Sequence, residues 1–321
     1  MVGGEGGAGR TAAGLTGAET PGAERPAGET PAGERPAGER PVAERPVGER
    51  PADELTPAEP AAADLRAAYG AAAGGWAAGP EHVYAPLARA LVGVAPVPVA
   101  GRRVLDLGAG TGVAGRAALA AGAGQVVAAD LAEAMLRRTG PGLHPVAAGA
   151  TALPFRDRAF DLVLAAFCLN HLGHPGDALR EIRRVGSSLA ASTFAPGWTH
   201  PAKLAVDEAL RPFGFQPPAW YEAMKQEREA AAPGPAWLTG QAASAGFTDV
   251  RVRTLTVPTG VSAPAQLASW RLGLAHYAPF LQSLDPARRA AARSAAEQAV
   301  AERAVAGAGP LVVSMLVLTA R

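Results

Sequence analysis

Three alternating glycines follow an apolar run that contains a single acid, at residues 104–112 (VLDLGAGTG). Glycine tolerates positive φ and lets the backbone approach a bound molecule closely. The alanine-rich residues 113–121 that follow favour a helix. The pattern therefore predicts a strand, a ligand-holding turn and a helix N-terminus, which is the arrangement of nucleotide-like cofactor sites. Its candidate cofactor-binding residues are Asp106, Gly108, Ala109, Gly110 and Gly112.

Two classes of cofactor fit this turn, because residues 110–115 also match the G-x-G-x-x-G pattern of dinucleotide-binding proteins. Asp130 ends the next apolar run, residues 125–129, where a carboxylate would accept hydrogen bonds from both hydroxyls of a ribose. Both classes of cofactor carry that ribose. Asp106 distinguishes between them, because a buried acid would repel a pyrophosphate but suit a cationic amino-acid tail.

Four sequence blocks in a fixed order make the pattern more specific. They are residues 104–112, residues 127–131 with Met135, residues 150–155 and residues 159–164, and a fifth comprises residues 170–172 with the helix 178–185. In these blocks the chain resembles the class I S-adenosylmethionine-dependent methyltransferases, in the small-molecule branch related to the quinone-biosynthesis methyltransferases. The resemblance is strongest over residues 65–195.

The resemblance implies an α/β, Rossmann-like fold with a seven-stranded, mostly parallel sheet and helices on both faces. Strands are expected near residues 103–107, 125–130, 144–148, 160–166 and 188–195. Residues 249–257 and 311–319 would form a C-terminal antiparallel hairpin, which a dinucleotide-binding fold does not require. Ligands of such sheets bind at the carboxyl ends of the strands.

The resemblance also implies roles for individual residues around S-adenosylmethionine. Asp106 would influence the methionine end of S-adenosylmethionine through neighbouring residues, and Asp130 would bind the ribose hydroxyls. Leu131 and Met135 would contact the adenine, and the Ala150 amide, next to Thr151, would donate to the ring edge. The alternative for Met135 is core packing, which is the more common role of a lone methionine on a helix.

One position departs from the family pattern, because the residue before Ala150 is commonly an acid that accepts from the adenine amino group. Here it is Gly149. We expect the missing hydrogen bond to cost about 1 kcal/mol.

A general base for the acceptor is harder to assign. His171 follows the fourth predicted strand, where an imidazole could take a proton or, alternatively, line the pocket. His174, His200 and Tyr221 are further candidates by location, and Asn170 could line the pocket or satisfy a loop backbone. No metal site is predicted. Two other functions stay open at this point, an NAD(P)-dependent oxidoreductase and a non-catalytic S-adenosylmethionine-binding protein.

The chain divides into a tail, residues 1–60, and a methyltransferase domain, residues 61–321. The tail contains six tandem proline-bearing pentapeptides between residues 22 and 51 and is expected to be disordered and dispensable. Residues 196–236, which carry Trp198, Trp220 and Tyr221, are expected to cap the acceptor pocket. Residues 259–308 would complete the cap or cover the late strands.

Charge and cysteine content bound the partners and the location. The tail is acidic and the remainder mildly basic, with dispersed positive charge, so nucleic acid is a poor candidate partner. The one cysteine, Cys168, excludes an internal disulfide and favours a reducing compartment. No run approaches the roughly 20 apolar residues of a membrane helix. We therefore expect a cytoplasmic protein that acts on a small-molecule acceptor without membrane contact, in an oligomeric state that the sequence leaves open.

Overall fold

Seven strands form one sheet in the computed structural model, which describes residues 59–172, 175–231, 234–304 and 310–321. The strands are β1 (Arg103–Leu107), β2 (Gln125–Asp130), β3 (Leu143–Ala147), β4 (Leu162–Ala166), β5 (Leu189–Phe194), β6 (Arg251–Pro258) and β7 (Val312–Ala320). Their order across the sheet is β3-β2-β1-β4-β5-β7-β6. Strands β1 to β5 run parallel, and β7 is antiparallel to both β5 and β6. The predicted sheet with its antiparallel C-terminal pair is confirmed.

Eleven helices of the described residues surround this sheet. They are α1 (Glu59–Trp76), α2 (Pro80–Val92), α3 (Val113–Ala120), α4 (Glu133–Leu136), α5 (Pro175–Val185), α6 (Pro201–Leu210), α7 (Ala219–Ala231), α8 (Pro235–Ser244), α9 (Pro264–Leu272), α10 (Ala278–Ser283) and α11 (Pro286–Ala304). Proline begins several of them, as at Pro80 and Pro201, because its φ suits a helix and its missing N–H would be unpaired there. None of the helices in the described ranges is long and apolar enough to cross a membrane.

The sheet is covered on both faces, as its apolar strands require. Successive side chains of a strand point to opposite faces. Val104 of β1 belongs to a core cluster with Leu87 of α2, whereas its neighbour Leu105 belongs to a second cluster with Leu179 of α5. All four side chains are fully buried. The two clusters form the two sides of a three-layer α/β core.

Helices α6, α9 and α11 lie over the late strands. Ala205 of α6, Leu267 of α9 and Ala296 of α11 share a buried cluster with Met315 of β7. The expectation that residues 259–308 complete the cap or cover the late strands stays a prediction. Residues 305–308 lie outside the described residues.

The element boundaries differ from the sequence-based expectation by up to two residues, for example at β4 and α1. The fourth strand begins at Leu162 rather than residue 160, because Phe160 forms only an isolated bridge with Gly186. Helix α1 begins at Glu59, within the last two residues assigned to the tail. The rest of the predicted disordered tail, residues 1–58, lies outside the described residues.

Candidate functional site

A cavity of about 710 Å³ opens at the carboxyl ends of β1, β2 and β4. Part of its wall is the turn after β1 with the segments that follow β2 and β3. The opposite part comes from α1, α2, α7 and the segment that follows β4. The volume lies within the range of about 300–1,000 Å³ that is typical of ligand sites. The cavity occupies the edge of the sheet where ligands of open α/β folds bind.

The glycine turn has a backbone that other residues could not easily adopt. Gly108 and Gly110 border the cavity with φ of +67° and +55°. A Cβ at Gly108 would lie 2.7 Å from the Cys168 Sγ atom, which is shorter than real contacts, whereas a Cβ at Gly110 would meet nothing within 4 Å. Gly112, with φ of +84°, faces the Leu143 side chain and is absent from the cavity wall. The glycines therefore serve both the cavity and the packing behind it.

The amides of Gly108 and Ala109 do not point freely into the cavity. Both donate to the Ala129 carbonyl oxygen, at 2.8 Å and 3.0 Å. Both residues nevertheless border the cavity. These two bonds hold the start of the turn against the end of β2.

Asp106 fixes the start of α3 from beneath the turn. It is 1% exposed, and one carboxyl oxygen accepts from the Gly115 amide at 2.6 Å. Burial raises the pKa of Asp106 to about 7, against the opposing effect of the Gly115 hydrogen bond. The neighbouring Asp130 raises it further. Asp106 also borders the cavity, so a cation bound there would favour its ionised form.

Asp130 holds the turn from the end of β2. One of its carboxyl oxygens accepts from the Gly110 amide and the other from the Ala132 amide, both at 2.8 Å. Burial raises its pKa although these amides lower it. The Leu131 amide lowers the pKa of Asp130 in the same way. Asp130 also borders the cavity, and a carboxylate has about four acceptor positions, so acceptor capacity remains for a bound hydroxyl.

These side chains fit S-adenosylmethionine better than a dinucleotide. Asp106 borders the cavity beside the turn, where it would repel a pyrophosphate and attract a cationic amino acid, whereas Asp130 suits the ribose of either cofactor. Arg116, which lies close by, is engaged with Glu81 and with the Thr111 carbonyl.

The segments that follow β2 and β3 form the part of the wall expected to face the adenine. Leu131, Gly149, Ala150 and Thr151 border the cavity. A Cβ at Gly149 would meet nothing within 4 Å, so the missing acid leaves open space. Met135 does not reach this wall, because it is fully buried among small residues of α1.

His171 lies at the junction of three segments. Its Nε2 is 3.1 Å from the Tyr69 hydroxyl, and its Nδ1 is 3.2 Å from the Met224 Sδ. All three residues border the cavity. Burial holds the pKa of Tyr69 well above its ordinary value, so the phenol keeps its proton near neutral pH.

Aromatic rings form much of the wall around His171. Tyr69 and Trp76 have ring centroids 5.8 Å apart, Trp76 stacks on Tyr84 at 5.6 Å, and Tyr84 meets Phe167 edge-on at 5.3 Å. Trp220 of α7 joins them in the wall. These distances are typical of favourable aromatic pairs.

Only part of the expected cap reaches the cavity. Of its aromatic residues, Trp220 borders the cavity, whereas Trp198 stacks on Phe194 and Tyr221 stacks on His276. His200 accepts from the Ala202 amide at the start of α6 and is absent from the wall. Asn170 is also absent from the wall, and His174 lies outside the described residues.

Sequence reasoning missed the contribution of α1 and α2. Tyr69 and Trp76 are seven residues apart on α1 and therefore lie on one helix face, and Tyr84 follows on α2. Aromatic residues at helical spacing, in a chain with 5% aromatics, are a signal that could have indicated them.

Comparison with known proteins agrees with this geometry. The methyltransferase domain family matches residues 105–188. A demethylmenaquinone methyltransferase from Mycolicibacterium paratuberculosis is 33% identical over 190 residues, which cover 56% of this chain and 80% of the relative. One from Renibacterium salmoninarum is 37% identical over 128 residues, which cover 38% of this chain and about half (54%) of the relative.

A solved structure supports the fold. It is a protein from an antibiotic biosynthesis pathway of Anabaena variabilis, described as a methyltransferase, with a TM-score of 0.52 and 15% identity. The similarity covers 73% of this chain and 96% of the other.

Fold and site together define an S-adenosylmethionine-dependent methyltransferase of class I. Within that class the chain belongs to the family related to the quinone-biosynthesis methyltransferases.

Proposed function

We propose that this methyltransferase acts on a small, largely apolar acceptor that contains a ring and loses a proton on methylation. The aromatic part of the cavity wall carries the proposal, because its rings offer a large apolar surface to a flat partner that contains a ring. The further formally charged side chains of the wall, Arg66 and Asp177, are exposed, and Asp177 is paired with Arg180. Among the described wall residues, the rings therefore offer an ionic acceptor no buried counter-charge.

The relatives support a ring-containing acceptor. Those described above are named for demethylmenaquinone, and a neutral ring of that kind matches the aromatic wall in shape and polarity. We extend to this chain only the class of acceptor.

On the cofactor side, we propose that Asp130 binds the ribose hydroxyls and Asp106 stabilises the cationic methionine end. Leu131 would cover the base, with backbone groups of Ala150 and Thr151 along its edge. When bound, S-adenosylmethionine supplies a sulfonium-activated methyl group that the acceptor displaces in line. The chain contributes orientation and exclusion of water, since methyl transfer of this kind needs no covalent intermediate with the protein.

For the proton, we propose a relay from the acceptor through Tyr69 to His171. The Met224 thioether carries no proton, so we assign the ring proton of neutral His171 to Nδ1, which leaves Nε2 to accept from the Tyr69 hydroxyl. As the acceptor bonds to the methyl carbon, its proton passes to the Tyr69 oxygen while the phenol proton passes to Nε2. His171 becomes imidazolium and releases that proton to solvent after product leaves.

The acceptor class is tested with methyl-labelled S-adenosylmethionine. We expect labelled product with 1,4-naphthohydroquinone and none with glycine as a charged control. Turnover of glycine together with failure of neutral ring compounds would contradict the proposal.

The relay is tested with Tyr69→Phe and His171→Gln, measured on the acceptor that is turned over. Because general acid–base catalysis contributes about 10²-fold or more, we expect kcat to fall by about that factor while the affinity for S-adenosylhomocysteine is retained. His144, exposed on β3 and absent from the wall, provides the control variant His144→Gln, which should leave kcat unchanged. An unchanged kcat in both relay variants would contradict the assignment.

We also propose a cytoplasmic location and no nucleic-acid partner. Cys168 is a free, buried thiol, and burial raises its pKa to about 12, so it remains a protonated core residue. The dispersed positive charge supports the second proposal, since a nucleic-acid surface concentrates lysine and arginine.

A further inference from the structure

We propose that Glu81 is a positioning residue of the cofactor site, and that it holds the glycine turn through Thr111 and Arg116. One Glu81 carboxyl oxygen accepts from the Thr111 hydroxyl at 2.9 Å, and the other accepts from Arg116. Arg116 in turn donates to the Thr111 carbonyl at 2.5 Å. Thr111 is 2% exposed and stands between Gly110 and Gly112. We call Glu81, Thr111 and Arg116 the turn clasp.

The turn clasp completes a set of three carboxylates around one short segment. Asp106 holds Gly115, Asp130 holds Gly110, and Glu81 holds Thr111 between them. The two aspartates come from the sheet beneath the turn. Glu81 comes from α2, outside the residues that match the methyltransferase domain family. The turn is therefore fixed from a second direction by an element that the core motif does not contain.

The start of α2 is packed tightly enough to hold Glu81 in place. A Cβ at Gly79, the residue before the helix, would collide with the Ser269 carbonyl of α9. Pro80 packs in the same way against Gly273, where a Cβ would collide with the proline ring. Because α2 cannot shift easily against α9, its first-turn acid presents a fixed anchor to the turn.

Loss of the anchor would change the turn more than the rest of the fold. Without Glu81, the buried Thr111 hydroxyl loses its carboxylate acceptor and Arg116 loses its carboxylate partner, so Thr111 can relax to find other partners. Gly110, one residue away, borders the cavity and donates to Asp130. Relaxation at Thr111 therefore displaces Gly110 and, through it, the Asp130 carboxylate that we assign to the ribose. The affinity for the cofactor then falls.

The inference rests on the proposed cofactor residues and is tested by titrating the full chain with S-adenosylhomocysteine. We expect Glu81→Ala to raise Kd about tenfold, which corresponds to about 1.4 kcal/mol. Glu81→Gln keeps an oxygen for Thr111 but loses the charge that pairs with Arg116, so its Kd should lie between those of the wild type and Glu81→Ala. Glu133→Ala is the matched control, because Glu133 forms an exposed ion pair with Arg137 and does not border the cavity.

A double-mutant cycle separates positioning from general stability. Thr111→Val removes the hydroxyl with little change of shape, and its effect on Kd should not multiply with that of Glu81→Ala, since both remove one interaction. The KM for S-adenosylmethionine should rise with little change of kcat. If Glu81→Ala does not fold, Glu81→Gln and Thr111→Val carry the same test.

Two results would overturn the proposal and are distinguishable from failure of the cofactor site. Folded Glu81 variants that bind within twofold of the wild type, even with a lowered Tm, would reduce Glu81 to a structural residue. Effects of Glu81→Ala and Thr111→Val that multiply would separate Glu81 from the turn. Absence of binding by the wild type would instead contradict the proposed cofactor residues themselves.

Discussion

Asp106→Asn should remove a pH-dependent destabilisation of the folded chain. The pKa of Asp106 rises from 3.8 to about 7 on folding, mainly through burial. Between those values the native state keeps a proton that the unfolded state has lost, so stability falls as pH rises through this window and levels off above about 7. Asparagine has nearly the same shape and can still accept from Gly115, but it does not titrate.

The magnitude follows from the linkage between protonation and folding. Each pH unit inside the window lowers wild-type stability by about 1.4 kcal/mol relative to the variant. Because half of the native molecules have lost the proton at pH 7, the difference between Asp106→Asn and the wild type should change by about 2.3 kcal/mol in favour of the variant between pH 5 and pH 7. Since Asp106 is 1% exposed, solvent screening does not reduce this value.

Urea unfolding followed by tryptophan fluorescence at pH 5, 6, 7 and 8 measures the difference. Asp161→Asn is the control, because its contact with Arg103 lowers the pKa of Asp161. The stabilising contribution of ionised Asp161 is present above pH 3.8 and is lost only in more acidic solution. The stability difference between Asp161→Asn and the wild type should therefore stay constant from pH 5 to 8. A constant difference for Asp106→Asn, or one that changes in the opposite direction, would refute the reasoning.

Three further predictions concern the cofactor site and the tail. Asp130→Ala should raise the Kd for S-adenosylhomocysteine about a hundredfold, since two charge-assisted hydrogen bonds are lost, and unchanged affinity by calorimetry would contradict the ribose role. Gly149→Asp should lower that Kd about fivefold, because the new carboxylate enters open space without backbone strain and can accept from the adenine amino group. Gly149→Ala is the control, and equal affinity of the two variants would contradict the adenine contact. Removal of residues 1–58 should leave kcat and KM unchanged, and a substantial loss of activity would show that the tail takes part.

Local patterns explain what could be predicted from the sequence. The glycine turn and Asp130 each lie within a contiguous sequence block, where the residue types indicate backbone conformation and burial directly. The structure brings Asp106, Gly110 and Asp130 to one cavity. The first five strand expectations depended on apolar runs and the last two on the family resemblance. All seven expected starts lie within two residues of the structure, and the fourth and sixth strands begin two residues later than expected.

Contacts between distant segments account for what was missed. Tyr69 lies 102 residues from His171, and Glu81 lies 30 residues from Thr111, so neither partner is visible in a local pattern. Met135 is the opposite case, since a single methionine on a four-residue helix does not indicate which side faces a ligand, and packing against α1 buries it. Among the cap aromatics, the orientation of α7 brings Trp220 to the cavity and turns Tyr221 toward His276.

Isothermal titration of the protein with S-adenosylmethionine, and with NADH in parallel, tests whether the cavity is a site for S-adenosylmethionine. Because Asp106 beside the glycine turn would repel the pyrophosphate of NADH, we expect one bound S-adenosylmethionine per chain and no binding of NADH. Binding of NADH without binding of S-adenosylmethionine or S-adenosylhomocysteine would contradict the account.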